Sequence, residues 1–233
     1  MAVFYVICAL IAAALSFDKI PEVFSLIFRE AFNFKAAGGG VAGYGLMTAM
    51  HYGFSRGVFS NEAGLGSAPI AHAASSTKDP VRQGLWGMFE VFFTTIVICT
   101  LSALVILSSG IWESGMYQGA ALSIASFNHI LPHIGGIVIT LSTIFFALST
   151  ILGWAYYGEV CAEFLSNKSK TAVWIYRCIY VAFVFLGTVG QLDLIWSISE
   201  TMNGLMAIPN LIGILGLSKV VVDVTRGHFQ KLK

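Results

Sequence analysis

The chain has 233 residues, 57% of them hydrophobic and 11% charged, with a mean hydropathy of +0.80. Soluble domains carry about 25% charged residues, so this composition excludes a soluble globular domain and defines an integral membrane protein. A net charge of +1 with no lysine-arginine run excludes a nucleic-acid-binding surface.

Hydropathy over a window of about 19 residues predicts six membrane segments in chain order. They cover residues 2–16, 38–74, 84–107, 134–165, 172–190 and 194–222. The second and fourth exceed the roughly 20 residues of a straight crossing, which predicts breaks or extensions. Pro209 and Asn210 predict a break in the last. Between the first two segments, residues 18–35 carry three positive and three negative side chains, and Pro21 opens a predicted interfacial helix through residue 34. Lys78 and Arg82, then Lys168, Lys170 and Arg177, then Arg226, Lys231 and Lys233 mark three cytoplasmic regions. Residues 108–132 and 190–193 contain no lysine or arginine and are assigned to the exterior. Cys8, Cys99, Cys161 and Cys178 lie in apolar segments without zinc or redox spacing, and His129 and His133, separated by Pro132, have no third ligand nearby, so no metal centre is predicted.

The second segment carries an interruption, Arg56-Gly-Val-Phe-Ser-Asn-Glu-Ala-Gly-Leu-Gly-Ser-Ala-Pro69. Irregular backbone at membrane depth is tolerated where it is buried in protein or lines a cavity, so this stretch reads as a discontinuous helix at a binding site. Half-helix ends would offer free N–H groups and carbonyls to a zwitterion or an ion. Gly57, Gly64 and Gly66 are the expected turn residues, Phe59 an apolar wall, and Ser60 and Asn61 uncharged polar contacts. Glu62 is the carboxylate of the motif and requires a partner, for which Arg56 is the nearest candidate. The competing reading makes these glycines packing residues, like Gly39 and Gly43, with Arg56 and Glu62 a structural ion pair. A hydrolase using Ser60 and Glu62, with His51 and His72 flanking, lacks an evident second acid. Glu90 and Glu200 are further intramembrane acids without an assigned role.

Three motifs carry a resemblance. Gly57-Val-Phe-Ser-Asn-Glu-Ala-Gly-Leu-Gly-Ser-Ala-Pro69, Phe146-Ala-Leu-Ser-Thr-Ile-Leu-Gly-Trp-Ala-Tyr-Tyr-Gly-Glu159 and Thr201-Met-Asn-Gly-Leu-Met-Ala-Ile-Pro-Asn210 resemble signatures of the sodium:alanine symporter family, the alanine or glycine:cation symporters. The resemblance implies an all-α integral membrane fold, the C-terminal part of a leucine-transporter-type inverted-repeat bundle with about six membrane segments. Residues 1–35 would be the last helix of the first repeat plus an extracellular connector, 36–223 the second repeat, and 224–233 a cytoplasmic tail.

The implied function is sodium-coupled symport of alanine, glycine or a similar small neutral amino acid across the cytoplasmic membrane, with no enzyme activity and no cofactor. The coupling ion would be Na+. Substrate binding would fall to Gly57, Phe59, Ser60, Asn61, Glu62, Gly64 and Trp154, and sodium binding to the hydroxyls of Ser149 and Thr150. A serine-threonine pair in a membrane helix also bonds back to its own carbonyls, and that alternative stays open. The resemblance covers the later part of the family and implies a truncated symporter, whose partner would be a polypeptide carrying the N-terminal repeat. The alternative is a non-transporting or split-symporter subunit inactive alone. Two positions depart from the family pattern: Phe93-Thr94-Thr95 stands where an aspartate often precedes threonine, and Glu200 where aspartate is common.

Overall fold

A computed structural model of the protein describes residues 2–31 and 40–231, without the side chains of residues 30, 31, 40–46 and 49. The expected end of the interfacial helix at residue 34, and Gly39, therefore lie outside the described residues.

Among the described residues every regular element is helical, joined by turns and short loops. Helix α1 is Ala2–Leu15, followed by a 3-10 turn at Phe17–Lys19 and α2 at Ile20–Ala31. Pro21 sits in the first turn of α2, where its missing N–H is no loss. Next come α3 (Gly40–Asn61), the short α4 (Ala68–Ala73) and α5 (Pro80–Phe92), which continues through a π-helical stretch at Phe93–Cys99 into α6 (Thr100–Ser109). A 3-10 turn at Ile111–Ser114 leads to α7 (Gly119–Ile130), α8 (Gly135–Leu165), α9 (Lys170–Val189) and α10 (Leu192–Lys231). Pro80–Ser109, Gly135–Leu165, Lys170–Val189 and Leu192–Lys231 are each long and apolar enough to cross a membrane. Helices α1 and α2 together make a fifth candidate, bent by 73°. The protein is thus an all-α, multi-pass membrane protein.

One expectation is corrected. Pro209 does not break the last segment, because α10 runs through it for 40 residues. Proline removes the single N–H that would serve the carbonyl four residues earlier, and a membrane helix with its other hydrogen bonds intact absorbs that loss. The same helix continues to Lys231, so most of the expected tail is helical.

The chain divides into two compact units, one of Met1–Thr48 with Phe92–Thr150 and one of Ala49–Val91 with Ile151–Lys233. In the first, Ala9 and Ala12 on α1 are fully buried against Val105, Phe127 and Ile139. Two alanines on one face let α1 approach α6 and α7 closely, which is how packing stabilises helices where lipid supplies no hydrophobic drive. Tyr5 packs beside Phe127 and Phe146, and its hydroxyl pairs with Ser102 Oγ. The buried hydroxyls of Ser109 and Ser126 meet at 3.1 Å.

In the second unit, Arg177 on α9 grips Glu159 on α8 through two hydrogen bonds, Nε to Oε2 at 2.9 Å and NH2 to Oε1 at 2.6 Å. Tyr180 donates its hydroxyl to the Ile151 carbonyl at 2.8 Å, so two turns of α9 are tied to α8. Asp79 caps α5: its Oδ1 accepts from the backbone N–H groups of Val81 at 3.0 Å and Arg82 at 3.4 Å, with Pro80 at the first helical position. Its other oxygen lies 2.7 Å from His228 Nδ1 near the end of α10.

Candidate functional site at the α3–α4 break

The polar interruption is a turn between two helices. At the end of α3, the Ala63 N–H bonds to the Val58 carbonyl at 3.2 Å and the Glu62 N–H to the Phe59 carbonyl at 3.4 Å. This is a Schellman closure, and it requires a left-handed residue at the position Glu62 occupies, with φ of 50°. Glycine is the usual occupant, so a glutamate there holds local strain of the sort found at functional sites. Gly64 at φ 76° and Gly66 at φ 80° complete the turn. Gly57 does not take part, because it lies inside α3 with no side chain pressed on it.

Glu62 does not pair with Arg56. Its Oε2 accepts from Ser67 Oγ at 2.7 Å, which closes the turn on itself, and Ser67 and Leu65 are buried. The turn is then pinned from outside its own sequence. Asn210 on α10 donates Nδ2 to the Gly64 carbonyl at 2.9 Å, and its side chain presses on Gly66 so closely that an added Cβ would sit 2.8 Å from Oδ1.

Arg56 instead faces α10. Its NH1 is 3.1 Å from Glu200 Oε1, and its guanidinium lies 3.6 Å from the centre of the Trp196 ring. Ser55 Oγ donates to the same Glu200 oxygen at 3.2 Å, and Phe59 meets Trp196 edge-on at 5.2 Å. One stripe of α3 (Ser55, Arg56, Phe59) therefore meets one stripe of α10 (Trp196, Glu200) at helical spacing. Beside this seam is a cavity of about 420 Å³, lined by His51, Ser55, Val58, Leu65, Glu200, Asn203 and Gly204. It is mostly apolar with a carboxylate and an amide on its wall, a composition suited to a small molecule with one charged group and a short side chain.

Phe59, Asn61, Glu62 and Gly64 are partly buried around this turn, while Ser60 is exposed. Trp154 on α8 is half-buried and stacks edge-on with Tyr157 at 5.7 Å. Ser149 and Thr150 belong to the first unit, and Ser149 Oγ donates to the Phe146 carbonyl of its own helix at 2.9 Å. Glu90 is exposed, 4.0 Å from His72 Nε2. His72 Nδ1 and the Gln83 amide meet at 2.7 Å. Among the described residues no group of histidine, cysteine and acidic side chains is placed to hold a metal ion.

Sequence reasoning missed Trp196, Ser67 and the anchoring role of Asn210. The i, i+4 pair Trp196 and Glu200 was a usable signal, since it repeats on α10 the spacing of Ser55 and Phe59 on α3.

A multi-pass helical membrane protein with a pinned, glycine-containing helix break has the features of a membrane transporter. The profile of the sodium:alanine symporter family matches residues 1–233, and the chain belongs to that family. It is 47% identical over 229 residues to the sodium/alanine symporter AgcS of Methanococcus maripaludis, covering 97% of this chain and 49% of that protein. It is 44% identical over 234 residues to an uncharacterized transporter of Haemophilus influenzae, covering all of this chain and 51% of the relative. With the probable sodium/glutamine symporter GlnT of Bacillus subtilis the identity is 38%, over the whole chain and 48% of the relative. The chain thus spans about half the length of the curated relatives it matches. No solved structure matches it.

Proposed function

We propose that this chain carries part of the machinery for sodium-coupled symport of a small neutral amino acid, alanine or glycine, with the α3–α4 break as its binding element. The observation that carries the reading is the anchoring of that break by Asn210 in a chain of the symporter family. Helices α3 and α4 form the second, discontinuous segment of the six expected, and residues 36–223 form one repeat of a leucine-transporter-type fold. Phe59, Asn61, Glu62 and the backbone around Gly64 contact the substrate, and Trp154 closes the pocket as a flat wall. Gly57 and Ser60 contribute contacts from the last turns of α3.

Sodium binds the hydroxyls of Ser149 and Thr150, with Ser149 trading its present bond to the Phe146 carbonyl for the ion. A polypeptide supplying the remaining half of the family length completes the site. The unburied apolar windows of α9 and α10 favour this partnership, since each offers a membrane-length face to lipid or to another bundle.

Equilibrium binding of labelled alanine to the reconstituted chain, with the complementary half co-expressed, tests the reading. Binding should require sodium, fall at least tenfold in Asn61→Ala, and need at least tenfold more sodium in Ser149→Ala. Sodium-independent binding that both variants retain would overturn it.

A further inference from the structure

The first unit holds a cavity that the symport reading does not use. It has a volume of about 390 Å³ and lies between α2 and the turn after α6, on the side that the lysine-arginine bias assigns to the exterior. Lys19 and Arg29 bring two positive charges to its lining and Glu22 and Glu113 two negative ones. The Lys19 ammonium is fixed at the wall by donating to the Ser108 carbonyl at 3.0 Å.

Among the described residues, two polar atoms on this wall have no hydrogen-bond partner. Ser108 is 4% exposed with its Oγ unmatched, and the buried indole Nε1 of Trp112 is unmatched as well. The contrast with Ser109 is informative. That neighbouring residue is equally buried, yet its hydroxyl bonds to the Ile106 carbonyl at 2.7 Å and to Ser126. Buried polar groups in native proteins are overwhelmingly paired, so two leftovers on one polar wall point to a ligand that pairs them. An indole N–H only donates and a serine hydroxyl donates as readily as it accepts, so the matching group is an acceptor, and Lys19 and Arg29 on the same lining favour an anionic one. The two carboxylates supply the counterpart for a cation. With charges balanced at two and two, the lining suits a zwitterion better than a simple anion or cation.

We propose that this cavity binds a small zwitterion, with its oxyanion on Trp112 Nε1 and Ser108 Oγ and its primary ammonium toward Glu22 and Glu113. Two sources share this chemistry. One is a free amino acid outside the membrane. The other is the phosphoethanolamine headgroup of a lipid, for which the segment Phe17–Arg29 is well placed, because it bends 73° away from α1 and exposes Phe17 in the 3-10 turn and Phe24 and Phe28 on α2. The proposal stands apart from the symport reading, since binding here is measured without transport.

The test is fluorine NMR of the full chain labelled with 5-fluorotryptophan in phosphatidylcholine nanodiscs, with the Trp112 resonance assigned through Trp112→Phe. Saturable movement of that resonance with alanine or glycine identifies the free amino acid. Movement only on replacing phosphatidylcholine with phosphatidylethanolamine, or on adding O-phosphoethanolamine, identifies the headgroup. In either case Glu22→Gln/Glu113→Gln should weaken the response at least tenfold while the other four tryptophan resonances stay in place; both carboxylates are exposed, so this variant keeps its fold. A Trp112 resonance that none of these probes moves would overturn the proposal, as would a response unchanged in the double variant.

Discussion

Asn210 reaches across 146 positions of sequence to donate its Nδ2 to the Gly64 carbonyl at 2.9 Å, and its side chain occupies the space a Cβ on Gly66 would need. Gly66→Ala should therefore destabilise the protein by about 2 kcal/mol, from left-handed backbone strain plus the contact with Asn210. Asn210→Ala should cost about 1 kcal/mol by leaving the Gly64 carbonyl unpaired. Because both act at one point, the double variant should lose less than the sum. Thermal unfolding in detergent, read as a double-mutant cycle, checks this.

Arg56 and Glu200 are about one-third exposed at the side chain, 36% and 27% respectively. Their pair therefore falls between a surface salt bridge and a fully buried one, and Arg56→Met or Glu200→Gln should each cost about 1–2 kcal/mol. Arg56→Lys keeps the charge but loses the flat guanidinium on the Trp196 ring, and should recover only part of that loss. The midpoint of thermal unfolding for the three variants provides the ranking.

Glu62 combines a left-handed backbone with a hydrogen bond from Ser67. Glu62→Ala keeps the strain and loses the bond, for a cost of about 1 kcal/mol, whereas Glu62→Gly loses both and should be nearly neutral in stability. If the carboxylate serves transport, both variants lose uptake despite their different stabilities. Paired unfolding and uptake measurements separate the two effects.

Desolvation alone would raise the Asp79 carboxyl, but hydrogen bonds from the Arg82 and Val81 backbone and the facing His228 outweigh it and hold the group below the ordinary carboxylate range. A depressed folded-state value means a contribution that is fully present above the unfolded value of about 3.9 and is lost as pH falls through the folded value. Asp79→Asn should thus lower stability at neutral pH, with the difference from the parent shrinking in strong acid. Unfolding midpoints of both proteins between neutrality and pH 3 follow that convergence.

The helix break was legible because glycines, hydroxyls and a carboxylate in an apolar run leave few other structures. The boundaries of α8 and α9 were also legible within two residues, since continuous hydropathy ends where charge begins. The partner of Glu62 was not. Arg56 is nearest in sequence, but six residues along a helix lie on different faces, while Glu200 is brought beside Arg56 by tertiary packing that periodicity in one helix does not encode. Pro209 misled because its breaking effect was weighed without the remaining hydrogen bonds of a long membrane helix.

The central claim is that the α3–α4 break binds the transported amino acid. Uptake of labelled alanine and glycine into proteoliposomes tests it most directly, using an inward sodium gradient, this chain with the complementary half of the family length, and the Asn61→Ala variant beside it. The account predicts sodium-dependent uptake by the parent and at least a tenfold loss in the variant. Equal uptake by the two would contradict it.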